Sequence, residues 1–368
     1  MMFSTLNRYI AKRIIKGLLL AFLVVTSIIM LVDFVEGTRN IGADEDISSV
    51  TVFMMTVLKA PKLIEQTIPF VVLFGVMGTL YSLNRRSELI VLRASGLSAW
   101  RFLSPAILVT AILGLVWAAA FNPLASASMN AHDNMVERLT GSTGSTGSTK
   151  NENIWLREGN DVGQTVIYAE RANVLTRTLF DASFYIFDIN AEGTAVFARR
   201  LDAETAELVT QGYWQLKNVI ENAEGELPQK QSAVSLPTVI TVDDIRDTTG
   251  NTALPPFWEI PATIAKTDRA GFSTTSLRMQ LNKLLALPVM LIAMTILAAG
   301  VSMKLTREGG TLRLLIVGSI LGFAVYFADS VVSAFGEASA LPIILAAWAI
   351  PLFVLFFGLS YLARIEDG

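Results

Sequence analysis

The 368-residue chain is 52% apolar and 17% charged, with a mean hydropathy of +0.51, values that exclude an ordinary soluble domain and point to a membrane protein. A net charge of -3 offers no basic field for nucleic acid, and the absence of cysteine removes disulfides and thiolate metal sites. His132 is the single histidine, so a histidine metal cluster is excluded, as is any Ser-His-Asp arrangement that does not use that residue.

A helix needs about 20 mostly apolar residues to cross a hydrocarbon layer of about 30 Å. The first such run covers 14–35 and follows Arg8, Lys12 and Arg13, with Lys16 at its start. It is expected to be a spanning helix rather than a leader, because it is long and no small-x-small cleavage site follows. Asp33 and Glu36 close it, and Arg39, Asp44, Glu45 and Asp46 come next. A second run covers 64–83, with Lys62 just before it. Arg39 and Lys62 are therefore expected just outside the membrane, where each either meets an anionic head group or pairs with a neighbour such as Asp44 or Glu65.

The loop after the second run reads Arg85-Arg86-Ser87-Glu88-Leu89-Ile90-Val91-Leu92-Arg93-Ala94-Ser95-Gly96. Ser87 suits a helix N-cap, Glu88 the positive end of the helix dipole, and Gly96 its termination, so a short helix over 87–96 is predicted. Leaving Leu89, Val91 and Leu92 wet is costly, which implies a soluble partner for some of them; the alternative is a helix lying flat on the bilayer.

The third run covers 102–121, and beyond it the pattern changes. Over 122–276 turn residues recur at short spacing and apolar residues alternate with a period of two, the signature of strands. Strands are predicted at 164–173, 181–190, 194–202, 213–220 and 233–242. In the fourth, Trp214, Leu216 and Ile220 are expected on one face and Tyr213, Gln215 and Lys217 on the other. Many short strands with polar turns imply a sandwich or jelly roll. The repeat from Gly141 to Thr149 has nothing apolar to bury and reads as a flexible loop, and His132 reads as a solvated histidine. The Pro-rich segment around Pro255, Pro256, Phe257, Trp258 and Pro261 reads as the return linker to the membrane.

Three further runs cover 284–303, 312–335 and 341–362, giving six spanning helices in a three-plus-three arrangement. The domains are then 1–121, 122–276 and 277–368. Basic residues cluster in alternate loops: before the first helix, between the second and third (Arg85, Arg86, Arg93, Arg101), and between the fourth and fifth (Lys304, Arg307, Arg313). This bias places both termini in the cytoplasm and the β-rich domain outside it. Asp329 lies inside the fifth helix, where a carboxylate is either functional or hydrogen-bonded to a neighbouring helix near its outer end.

No GxxxxGK[ST] loop and no HExxH motif is present, so the chain is expected neither to hydrolyse nucleotide nor to act as a metalloprotease. Two readings of the function stay open on these residues. One is a non-transporting receptor whose β domain docks an extracytoplasmic partner, and the other an enzyme using Asp329 or the Asp243-Asp244 pair.

Three stretches carry a family resemblance: Arg8-Tyr9-Ile10, the loop from Arg86 to Gly96, and Gly322-Phe323-Ala324-Val325-Tyr326-Phe327-Ala328-Asp329 in the fifth helix. Together they resemble the YjgP/YjgQ permeases, whose branches are LptF and LptG, the loop being more like the LptG form. The resemblance implies an inner-membrane subunit of an ABC transporter in a Gram-negative bacterium that extracts lipopolysaccharide. It further implies an LptF-like paralogous permease, two copies of an LptB-like ATPase carrying the ATP and Mg, and LptC. The periplasmic domain would be a β-jellyroll leading to LptA. The short loop helix would be the coupling helix, with Glu88, Leu89, Leu92, Arg93, Ser95 and Gly96 toward the ATPase. Asp33, Arg39, Lys62 and Asp329 would be the lipid-binding candidates, and the chain itself would carry no cofactor. Relatives often place a basic residue near the outer end of the first helix, where this chain has Asp33 and Glu36.

Overall fold

A computed structural model of the chain describes residues 5–41, 48–95, 98–140, 154–159, 163–173, 176–189, 195–209, 212–223, 225, 227–238, 240, 255–269, 273–308 and 311–367. The Gly141 to Thr149 repeat, Gly96 and the Asp243-Asp244 pair lie outside these residues, as do the side chains of Arg93, Lys304 and Arg307. The chain divides into two units, one of Met1–Met129, Pro255–Pro261 and Thr275–Gly368, the other of Asn130–Leu254 and Ala262–Thr274.

The first unit is helical. It holds α1 (Thr5–Ile41), α2 (Ser49–Arg85), the short α3 (Glu88–Ala94) and α4 (Ala99–Val116). A π-helical turn (Trp117–Phe121) then leads into α5 (Asn122–Thr140), of which the part up to Met129 belongs to this unit. After the β-bearing unit and α6 (Ile260–Arg269) come α7 (Thr275–Glu308), α8 (Thr311–Glu337) and α9 (Ile343–Asp367). Six helices among the described residues are long and apolar enough to cross a membrane, one for each predicted run. Several extend well past their apolar stretch: α1 reaches back to Thr5 because Arg8, Lys12 and Arg13 are good helix formers that need no lipid contact.

In lipid, helices gain little from apolar burial against one another, so close backbone approach and interhelical hydrogen bonds hold the bundle. Gly17 of α1 sits against α2 so tightly that a Cβ there would lie 1.9 Å from Thr79 Oγ1 and 2.7 Å from the Gly75 carbonyl oxygen. Gly114 of α4 meets Pro288 of α7 in the same way, at 2.6 Å. The central α7 packs on α2, α4, α8 and α9, and its Leu291, Ala293, Ala298 and Ala299 are buried. Thr295 Oγ1 donates to Thr110 Oγ1 at 2.9 Å, joining α7 to α4 inside the bundle.

The second unit holds a six-stranded antiparallel sheet: β1 (Ile154–Gly159), β2 (Gly163–Asn173), β3 (Thr178–Ile189), β4 (Ala195–Val209), β5 (Tyr213–Ala223) and β6 (Gln229–Pro237). The inserted all-β domain is thus present. Each described strand pairs with its neighbour in sequence, an up-and-down order without the long crossovers of a full jelly roll, because short turns join consecutive runs. The inner face carries Leu156, Ile167, Phe184, Leu201, Trp214 and Leu216, packed with one another and with Ile240. That shared apolar face is the core of the sheet-bearing unit.

At one level the ladder skips a residue on five strands in succession: Glu170, Asp181, Glu204, Asn218 and Ser232 stand opposite one another without pairing. Asp181 and Asn218 there take left-handed backbone, φ 51° and 52°. These five strands turn their faces over at this crease, so inward residues step by three, as from Leu179 to Ala182, Ala203 to Ala206 and Leu216 to Val219. Val219 therefore takes the inward place expected for Ile220, which lies on the outer face. The segment 122–276, read as strands throughout, instead opens with the helix α5, so the third span runs on to Val136 past its expected end at 121, because the polar residues of 122–140 still favour helix. β1 and α6 were not among the predicted elements either, β1 being short and α6 lying in a segment rich in proline and polar residues.

Candidate functional site: a rooted short helix and paired charges between helices

Helix α2 stops at Arg85, and the chain turns within two residues before α3 begins. The Ser87 N–H donates to the Asn84 carbonyl at 2.9 Å, and the Ser87 carbonyl accepts from the Val91 N–H at 3.1 Å. Ser87 thus holds the N-cap position predicted for it, with φ at 63° making the sharp reversal. Ser95 lies just past α3, and its Oγ donates to the Leu92 carbonyl at 2.8 Å.

Glu88 does more than suit the helix dipole. Tyr9 of α1 donates its hydroxyl to Glu88 Oε2 at 2.8 Å, while Arg13 Nε and Nη2 donate to the same Tyr9 oxygen at 3.0 and 2.8 Å. Arg13 also stands 3.8 Å from Glu88 Oε1, so a Tyr9–Arg13–Glu88 cluster ties the start of α1 to the start of α3.

Leu89 is one of the three apolar side chains for some of which a soluble partner was expected. It is instead 4% exposed, in the same core as Ile10, Ile14 and Leu83. Helical geometry turns Val91 about 200° away from Leu89, and Val91 is 65% exposed, with Leu92 half-buried between them. Glu88 and Leu89 thus root α3 in its own bundle, and Val91 is presented outward.

The other candidate residues lie elsewhere in the bundle. Asp33 near the end of α1 accepts from Lys59 Nζ of α2 at 2.6 Å. One turn along α2, Lys62 Nζ donates to Glu65 Oε2 at 2.9 Å. Of the two partners foreseen for Lys62, then, the structure has Glu65. Arg39 is exposed in the last turn of α1. Asp329 of α8 faces Lys283 of α7 at 3.9 Å, an ion pair with a neighbouring helix at a distance too long for the hydrogen bond foreseen for it. Lys59 and Lys283 were not singled out from the sequence. The signal for Lys59 was its place one turn before Lys62 on the same helix. His132 is half-buried and pairs its Nδ1 with Asp133 Oδ1 at 3.1 Å. No group of three or more potential metal ligands occurs among the described residues.

Glu65 has a second contact. Asn122, fully buried at the start of α5, donates from Nδ2 to Glu65 Oε1 at 2.5 Å and accepts the Phe257 N–H on its Oδ1 at 2.8 Å. Beside it, Pro123 lacks the N–H that would normally serve the Ala119 carbonyl four residues back. That carbonyl instead accepts Trp258 Nε1 at 2.8 Å, and the π-helical turn Trp117–Phe121 is the local distortion that accommodates the proline.

The profile of the lipopolysaccharide export system permease LptF/LptG family matches residues 8–364. Among curated proteins, the chain is similar to the lipopolysaccharide export system permease protein LptG of Haemophilus influenzae, 27% identical over 190 residues, which are 51% of this chain and 50% of that protein. It is also similar to LptG of Escherichia coli K12, 26% identical over 195 residues, again 51% of this chain and 50% of the other. The chain spans about half the length of the curated relatives it matches. With a family match along nearly its whole length, the chain belongs to the lipopolysaccharide export system permease LptF/LptG family.

Proposed function

We propose that the chain is a permease subunit of an ABC transporter that extracts lipopolysaccharide from the inner membrane and passes it to a periplasmic bridge. It pairs with an LptF-like paralogue, two copies of an LptB-like ATPase drive the pair, and LptC and LptA receive the lipid on the β-domain side. Both termini lie in the cytoplasm and the β domain in the periplasm, as the alternation of basic loops argues. The chain holds no cofactor, since ATP and Mg belong to the ATPase.

One observation carries this reading: α3 is fixed to its own bundle through Glu88 and Leu89 yet leaves Val91 exposed. An apolar side chain on a rooted helix between two spans suits a soluble partner whose motion must pass into the membrane. In this scheme Leu92, Arg93, Ser95 and Gly96 flank the ATPase contact, and Glu88 and Leu89 transmit the push to α1 and α2. Arg39, Lys62 and the Asp33–Lys59 and Asp329–Lys283 pairs offer charge toward lipid phosphates.

The test is co-expression with the cognate paralogue and ATPase, comparing wild type with Val91→Asp and Leu92→Asp. Co-purified ATPase should fall by about tenfold or more, as for loss of a buried interface anchor. Full retention with normal ATP turnover would overturn the assignment of α3.

A further inference from the structure

Four groups form an unbroken hydrogen-bonded line through the helical unit. Lys62 Nζ donates to one oxygen of Glu65, and Asn122 Nδ2 donates to the other. The remaining side-chain acceptor of Asn122 takes the Phe257 N–H, and Trp258 next to it is held on the Ala119 carbonyl. Lys62 and Glu65 belong to α2, Asn122 starts α5, and Phe257 lies in the linker by which the chain returns from the β-bearing unit. Gln280 of α7 adds a bond from Nε2 to the Pro255 carbonyl of the same linker, at 3.3 Å.

The exposures along this line are graded. Lys62 keeps about a quarter of its side chain accessible, Glu65 a tenth, and Asn122 none. The outer group is therefore open to a ligand, while the inner two are committed to each other. A buried carboxylate shared between an ammonium and an amide responds to loss of either one, because its charge must then be met by what remains.

We infer that Glu65 and Asn122 are positioning residues that relay the engagement of Lys62 by an anionic head group to the return linker at Phe257 and Trp258. A phosphate or carboxylate reaching Lys62 competes with Glu65 for the ammonium. Glu65, short of its cation, draws harder on Asn122 Nδ2, and movement of that amide alters the acceptor offered to the Phe257 N–H. The return linker thus changes its hold on the bundle when the head group is bound. This inference rests on the proposed function in taking the anion to be that of a bound lipopolysaccharide.

The test uses the full chain in phosphatidylcholine nanodiscs, with and without lipopolysaccharide, and with phosphatidylglycerol as a second anionic probe. Two readouts are taken: hydrogen exchange of the peptide containing Phe257, and photo-crosslinking of the lipid from a reporter at Leu23 on α1. In wild type, lipopolysaccharide should crosslink and should change Phe257 exchange by about tenfold, the worth of one buried hydrogen bond. Phosphatidylglycerol producing the same change would identify the anion as any lipid head group rather than lipopolysaccharide, which upholds the relay and removes its specificity. Lys62→Met should abolish the exchange change. Glu65→Gln, which keeps the shape and an acceptor for Asn122, should leave crosslinking intact and abolish the change, as should Asn122→Ala. Crosslinking in wild type without any exchange change would overturn the relay and leave the permease reading standing. An unaltered exchange response in Glu65→Gln would also overturn it, and absence of crosslinking would count against both.

Discussion

Tyr9 donates its hydroxyl to Glu88 across 2.8 Å although 79 residues separate them, and Arg13 donates to that same oxygen. The start of α1 and the start of α3 therefore move together. Because these groups are partly exposed, the hydrogen bond is worth about 1 kcal/mol or less. Replacing Tyr9 by Phe keeps the ring and removes the bond. Amide exchange across α3 should rise by about fivefold, with α2 unchanged. An unchanged α3 would show that Leu89 alone holds it.

Leu89 and Val91 lie two residues apart but are expected to respond differently. Leu89→Ala removes a buried side chain and should lower the stability of the α1–α3 corner by about 2–4 kcal/mol, seen as a lower melting temperature in detergent. Val91→Ala should stay within about 0.5 kcal/mol of wild type in the same assay, since its side chain is wet in the isolated chain.

Gly17 is required where α1 crosses α2. Gly17→Ala places a methyl against both Thr79 Oγ1 and the Gly75 carbonyl, and should cost about 1–3 kcal/mol as the helices part. Adding Thr79→Ala removes one of the two obstacles, so the double variant should recover only part of the loss in thermal stability. Full recovery would mean that the backbone contact with Gly75 is soft.

The crease in the β sheet makes a separate prediction. Asn218 holds φ at 52° and donates from Nδ2 to Glu204 Oε2 at 2.6 Å. A β-branched residue is poorly suited to left-handed backbone, so Asn218→Val should destabilise the sheet by roughly 1–2 kcal/mol. Asn218→Gly loses the side-chain bond but relieves the backbone, and should fall within about 0.5 kcal/mol of wild type in urea unfolding followed by Trp fluorescence.

Features that rest on a pattern repeated over many residues are legible in this sequence, and those that hang on one residue are not. Six spans were legible because each rests on about 20 apolar residues, whereas their ends were not: Thr5 lies in a basic extension of α1, and in α2 Lys59, Lys62 and Glu65 interrupt the apolar run that continues back to Val50. Alternation located five of the six strands, but the change of phase at Asn218 moved Val219 inward and Ile220 outward. Asparagine, the residue that tolerates left-handed backbone, was the one local hint. At α3 the composition marked the helix and its cap, yet only the placement of Ile10 and Leu83 decides that Leu89 faces inward. The Asp33–Lys59 and Glu65–Asn122 contacts depend on the register of antiparallel helices, 26 and 57 residues apart in the chain.

The most direct test is ATP-dependent photo-crosslinking of lipopolysaccharide in the reconstituted complex, with reporters at Leu31 on α1 and at Phe184 on the apolar face of the sheet. Lipid export predicts crosslinks at Leu31 without ATP, and crosslinks at Phe184 that appear only when ATP is hydrolysed. Crosslinks at Phe184 that are absent with ATP, or equally strong without it, would contradict passage of the lipid from this membrane unit into the β domain.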